Sequence, residues 1–167
     1  FAFALPLVHA DKKGERQAQL NRFEKLVESY QGRLAEIVQQ TAVAHAELAR
    51  WCAKSGLPAD AAAEKARAAA LDPAQEAGLG DLAPASAPAA APDAKAAADL
   101  PRKRKALAAE LAKRYVELAN WCKKSGMELE FRKTLRKLVR LVPENPDVRK
   151  FLGQQKHQGE WLSFEDV

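Results

Sequence analysis

Reactive side chains are few. Cys52 and Cys122 are the only thiols, His9, His45 and His157 the only imidazoles, and Trp51, Trp121 and Trp161 the only indoles. Around His45 only Glu47 and Cys52 lie within a turn or two, a spacing that matches no zinc pattern, so no metal site is expected. Neither cysteine belongs to a Cys-x-x-Cys pair, which argues against a thioredoxin-like dithiol. Two readings remain for them: reduced, buried packing residues, or a disulfide in an exported protein, for which the Cα atoms must come within about 7 Å. Equivalent positions approach each other if their two units are related by a two-fold axis. The tryptophans suggest a stacking site for a ligand, but core or hairpin anchoring is the stronger reading. A Gly-rich phosphate loop, a nucleophile elbow and paired carboxylates are all missing. The chain reads as a non-enzyme with no cofactor.

Positive charge is the other chemical resource. The net charge is +5, and residues 101–167 hold all of the excess, with sixteen Lys and Arg against nine Asp and Glu. Arg132, Lys133, Arg136, Lys137 and Arg140 recur at helical spacing as one outer face, and Arg102-Lys103-Arg104-Lys105 adds a run. These can contact an anionic partner such as an acidic protein surface or an envelope polymer. Nucleic acid fits poorly, because no aromatic residues interleave for base stacking. A solvated helix face is the plainer reading of such a run.

The elements that must carry these residues come from a duplication. Residues 47–57 read E-L-A-R-W-C-A-K-S-G-L, and seventy positions later residues 117–127 read E-L-A-N-W-C-K-K-S-G-M. Trp51, Cys52 and Gly56 thus align with Trp121, Cys122 and Gly126. In each copy Trp and Cys occupy the last buried turn of a helix, Lys favours its negative end, and Ser-Gly turns the chain into a partner helix.

Upstream of the first copy, apolar or small residues fall at Leu20, Phe23, Val27, Tyr30, Leu34, Ile37, Thr41, Ala44, Leu48 and Trp51. This three-four alternation predicts one helix of about forty residues from Glu15 to Lys54, roughly 60 Å long. Its stripe packs either on the chain's own later helices or against a second copy as a coiled coil. A helix over about 59–71 completes the first hairpin and ends at Asp72-Pro73. Residues 78–101 are Ala/Pro-rich and read as a semi-flexible linker or a loop draped over the surface. Helices over about 103–124 and 128–141 form the second hairpin. Asn145-Pro146-Asp147 starts a short helix, with Asn as cap and Pro at the first position. Gly159 is the expected turn of the tail, Trp161-Leu162 its strand-like anchor, and Ser163 with Asp166 resembles a capping box.

The first ten residues, F-A-F-A-L-P-L-V-H-A, differ from all that follows. They read as the remnant of a secretory signal peptide, the alternative being a short apolar segment packed on a helix. No stretch is long and apolar enough to span a bilayer. Location is therefore expected to be periplasmic, cell-envelope or extracellular.

The junction L-V-R-L-V-P-E-N-P-D-V-R-K-F-L-G at 138–153, its shortened counterpart L-D-P-A-Q-E-A-G-L-G at 71–80, and the terminal G-E-W-L-S-F-E-D resemble degenerate tetratricopeptide-type repeats. The likeness is to those with a C-terminal Gly-x-Trp element in exported or envelope-associated bacterial proteins. It covers about 105–167 well and 42–80 in part. A regular repeat has a period near thirty-four residues, so the longer spacing here argues against a continuous superhelix. Two hairpins packed face to face about a pseudo-two-fold axis, covered by the long helix, are the alternative.

The expected fold is all-α: leader remnant 1–10, long helix and first hairpin 11–77, linker 78–101, second hairpin and Gly-x-Trp tail 102–167. The expected role is non-catalytic interaction or assembly with a protein partner. A subunit that self-associates as a homo-oligomer through the long helix, or a polyanion binder, are the alternatives.

Overall fold

A computed structural model describes residues 7–79 and 93–163, with side chains from Gly14 onward except at 76 and 77. Residues 1–6 of the expected leader, most of the expected linker, and Asp166 of the capping box lie outside the described residues. The fold is all-α with one small β-hairpin. In order come α1 (Leu7–Lys54), α2 (Pro58–Leu71), α3 (Pro73–Leu79), α4 (Ala94–Lys124), α5 (Glu128–Leu141), α6 (Pro146–Phe151), β1 (Gln154–His157) and β2 (Glu160–Ser163).

The turn between the helices of each hairpin is the same. Gly56 and Gly126 have φ of 70° and 71°, the left-handed region that glycine enters without a Cβ clash. Leu57 N–H donates to the Cys52 carbonyl and Met127 N–H to that of Cys122, each at 2.9 Å. Gly56 N–H to Ala53 O at 3.3 Å and Gly126 N–H to Lys123 O at 3.2 Å complete the pattern. This is the Schellman closure of a helix, with the following apolar residue folded back onto the last turn. The duplicated W-C-x-K-S-G is therefore a helix-ending device.

α1 and α4 run antiparallel, and the register of their contact is symmetric. Arg33 meets Trp121, Ile37 lies beside Leu118, Leu48 beside Leu107, and Trp51 meets Lys103. Adding or subtracting seventy converts each pair into another pair of the series. The two halves are thus related by a pseudo-two-fold axis, passing where Ala42 and its equivalent Ala112, both buried, fall in the middle of the series. Small residues there let the two backbones approach.

Each long helix crosses from one half to the other. Tyr30 and Ile37 of α1 join Leu118, Cys122, Met127, Phe131, Leu135 and Leu138 in the larger core. Reciprocally, Ala96 and Leu100 of α4 join Leu48, Cys52, Leu57 and Ala61 in the smaller. The expected α1 stripe is buried at Tyr30, Ile37, Thr41 and Leu48, while Leu20 and Phe23 remain 50% and 54% exposed. α1 thus packs on the chain's own helices from Leu26 onward.

Several expected boundaries need correction. The linker does not reach Pro101: Asp93 caps α4 by accepting from Lys95 N–H at 2.9 Å, and Pro101 lies within the helix. An interior proline costs about 3 kcal/mol, and burying Leu100 returns about 1.5–3 kcal/mol. Pro73 likewise opens a helix rather than only ending one. Asp72 accepts from Ala74 N–H, and Leu79 buries against Ala46 and Ala68. Residues 7–10 of the expected leader belong to α1.

The C-terminal segment follows the sequence signals closely. Asn145 accepts from the amides of Asp147 and Val148 at the start of α6. β1 and β2 pair antiparallel through a turn at Gln158-Gly159, both with positive φ.

Candidate functional site

Cys52 and Cys122 are both free thiols with no exposed surface, one in each core. The expectation that a two-fold axis would bring them together fails for a geometric reason. The axis passes near Ala42 and Ala112, ten residues away from each cysteine and on opposite sides, so antiparallel helices carry the two thiols to opposite ends of the α1/α4 contact. Burial pushes both thiols above their ordinary pKa, with the Asp60 and Glu64 carboxylates adding to the rise at Cys52. Neither is disposed to act as a thiolate.

Trp51 and Trp121 are half-buried beside these cores, each with a cation over its outer face. Arg33 lies 4.9 Å from the Trp121 centroid and Lys103 lies 4.7 Å from that of Trp51. Trp161, on β2, lies between Arg149 and Lys156 at 5.5 and 5.7 Å. Its indole N–H points to Glu144, which also receives Lys156 at 2.8 Å. All three indoles are therefore covered by cations of the chain itself.

The least expected feature is Glu64. On the inner face of α2, its side chain is fully buried. His45 Nδ1 donates to it at 2.7 Å, Arg104 Nε at 2.7 Å, and Arg67 supplies a third contact, while Arg104 Nη2 also reaches Asp60 at 2.9 Å. Because a carboxylate only accepts, the proton of His45 must sit on Nδ1. Burial alone raises the Glu64 carboxyl, but the hydrogen bonds from Arg104 and His45 and the charge of Arg67 outweigh it, so the pKa falls below its ordinary value. A carboxylate so saturated is a structural tie between α1, α2 and α4 and is unsuited to act as a base. Among the described residues no group of three or more His, Cys, Asp and Glu is arranged to hold a metal.

The equivalent position in the second half is Thr134, also fully buried. Its hydroxyl donates to the Glu130 carbonyl at 2.8 Å and lies 3.5 Å from Tyr30 Oη. His45 is matched by Tyr115 and Arg104 by Leu34. The ionic centre of one half is thus replaced by a mostly apolar one in the other. Lys137, the equivalent of Arg67, consequently has no buried carboxylate to meet.

Lys137 instead lines a cleft of about 240 Å³ on the pseudo-axis, together with Arg140 of the same helix. Val38 and three equivalent pairs build the rest: Thr41 and Leu111, His45 and Tyr115, Leu71 and Leu141. The α2 side offers Leu71, and the α5 side offers the two cations. The five basic residues singled out on α5 are all exposed. Arg132 pairs with Glu128 at 2.6 Å and Lys133 lies 3.9 Å from Glu130, while Arg136, Lys137 and Arg140 form no ion pair among the described residues. The run Arg102–Lys105 is largely consumed internally: Arg102 meets Asp99, Lys103 covers Trp51 and Arg104 binds Glu64.

Reading along the sequence missed the Glu64 cluster and the cleft, since both join residues far apart in the chain. The available signal was the offset of seventy, which aligns Glu64 with Thr134 and His45 with Tyr115. Comparison with protein-family models, curated proteins and solved structures finds no match.

Proposed function

We propose that this chain is a non-catalytic interaction module that presents helix faces to a protein partner outside the cytoplasm. One observation carries the reading. The apolar stripe of α1 continues past the region that the second hairpin covers, leaving Leu20 and Phe23 half-exposed two turns and one turn before Leu26 and Val27 meet the core. A free helix with an amphipathic stripe is suited to take one more helix beside it. The tetratricopeptide-like hairpins supply the rigid base from which that arm projects. Export is supported by the apolar run ending in Val8-His9-Ala10.

A second reading, self-association of two copies through the same arm, is favoured by the same stripe because a heptad pattern can pair with itself. Sedimentation equilibrium of the chain beside the double variant Leu20→Glu/Phe23→Glu separates them. A dimer abolished by the double variant establishes self-association. A monomer at every concentration removes it; capture from native extract should then retain a protein that the double variant loses. If both forms retain the same proteins, the arm is not the interaction surface and the proposal fails.

A further inference from the structure

The cleft on the pseudo-axis is asymmetric. Its two flanking helices are equivalent by sequence, yet their walls differ in kind. In the first half, Arg67 is drawn inward to Glu64. In the second, Thr134 stands where Glu64 would be, so Lys137 keeps its charge at the cleft. Arg140 joins it from the next turn, where the first half has Ala70. Opposite stands Leu71, and between them the floor is formed by Val38, Thr41, Leu111 and Tyr115. Divergence from the symmetric plan has produced an apolar trough with cations along one rim.

We propose that this cleft docks an acidic segment of a partner protein, seating one apolar side chain against Leu71, Leu111 and Tyr115 while flanking carboxylates pair with Lys137 and Arg140. Charge complementarity selects an acidic occupant. Size selects a side chain rather than a free small molecule: about 240 Å³ in an open trough falls below the roughly 300–1,000 Å³ typical of small-ligand pockets. The cations also run beyond the trough to Arg136, further than a small anion needs. Nucleic acid is disfavoured because no aromatic residue projects from the exposed face of α5 to stack on bases.

The proposal rests on the interaction-module reading but uses a different surface from the α1 arm. The test is fluorescence anisotropy with a labelled peptide of about a dozen residues, one leucine or tryptophan among Asp and Glu. Lys137→Glu/Arg140→Glu should weaken binding by about tenfold or more, and Leu71→Glu, at the exposed lip, by a similar factor. Arg132→Glu/Lys133→Glu, which lies away from the trough, should change it less than about threefold. Replacing the anchor of the peptide by Ala should cost about tenfold. Circular dichroism confirms that each variant keeps its helix content. Equal loss in the Arg132/Lys133 variant, indifference to the anchor, or equal binding of a single-stranded oligonucleotide overturns the proposal and leaves general polyanion attraction. Unchanged peptide binding in Leu20→Glu/Phe23→Glu separates this site from the arm, so either can fail alone.

Discussion

The Arg33 guanidinium lies 4.9 Å from the centroid of the Trp121 ring, although Arg33 lies in the first helix of the first hairpin and Trp121 ends the first helix of the second. Its counterpart Lys103 makes the reciprocal contact with Trp51 at 4.7 Å. The cation eighteen positions before one tryptophan therefore covers the tryptophan of the other half. Exposed cation–π contacts contribute about 0.5–1 kcal/mol. Double-mutant cycles on Arg33/Trp121 and Lys103/Trp51, read by urea unfolding, should each return a favourable coupling of about that size. Zero coupling in both cycles would show that the stacking is incidental to the assembly of the halves.

Glu64 should govern the acid limb of stability. Its folded pKa lies below its ordinary value, because Arg104, His45 and Arg67 favour the ionised form over the opposing effect of burial. Its contribution is thus complete above the unfolded value of about 4.3 and disappears as pH falls through the lower folded value. At neutral pH, Glu64→Gln should cost about 2–3 kcal/mol, less than a fully buried pair because Arg67 and Arg104 are partly in water. Urea midpoints of the two proteins should converge as pH falls from about 4.3 through the lower folded value. Parallel pH profiles would remove Glu64 from this role.

The hairpins were legible in the sequence for a local reason. A chain that leaves a helix with its next amide bonded back to the last turn needs a left-handed residue, and Gly56 and Gly126 announce it twice. The α6 cap at Asn145 and the turn at Gly159 were readable on the same grounds. What stayed hidden depends on the register of α1 against α4. Along the chain His45 has only Glu47 and Cys52 near it, while its partner Glu64 sits nineteen positions away and the decisive Arg104 forty beyond that. Pro101 misled because local rules favour a boundary there, and the burial of Leu100 overrides them. The cysteines show a further limit: the two-fold alternative was the right symmetry, but where the axis falls along the helices decides which equivalent residues meet.

That placement makes the thiols testable. Both are buried and shifted upward, chiefly by desolvation. The unreduced native protein should react with a disulfide reagent at pH 8 only at the rate of unfolding, and denaturant should release two thiols per chain. Fewer than two would reveal a disulfide that the buried positions of Cys52 and Cys122 do not provide.

At Gly126 the backbone demand can be isolated from packing. An added Cβ would meet no atom within 4 Å, so only the φ of 71° opposes it. Gly126→Ala should therefore cost about 1–2 kcal/mol, whereas Gly126→Asn, which tolerates the left-handed region, should recover part of that loss. An alanine variant as stable as the parent would mean that the turn relaxes and that the Schellman closure is dispensable.

A tight demand on side-chain size falls at the pseudo-axis, where Ala42 has no exposed surface and its equivalent Ala112 is also buried. Both halves depend on the α1/α4 approach at this point, because each long helix completes the other half's core beyond it. Ala42→Leu inserts three carbons where neither helix can withdraw without separating Tyr30 from Thr134 at one end or His45 and Arg104 from Glu64 at the other. Overpacking of this kind typically costs about 1–3 kcal/mol, and the present site should lie at the upper end. Val43→Leu, one residue along and exposed, serves as the control and should change stability by less than about 0.5 kcal/mol. If urea unfolding finds the two substitutions equally mild, Ala42 does not mark the crossing, and the pseudo-two-fold register of α1 against α4 must be redrawn.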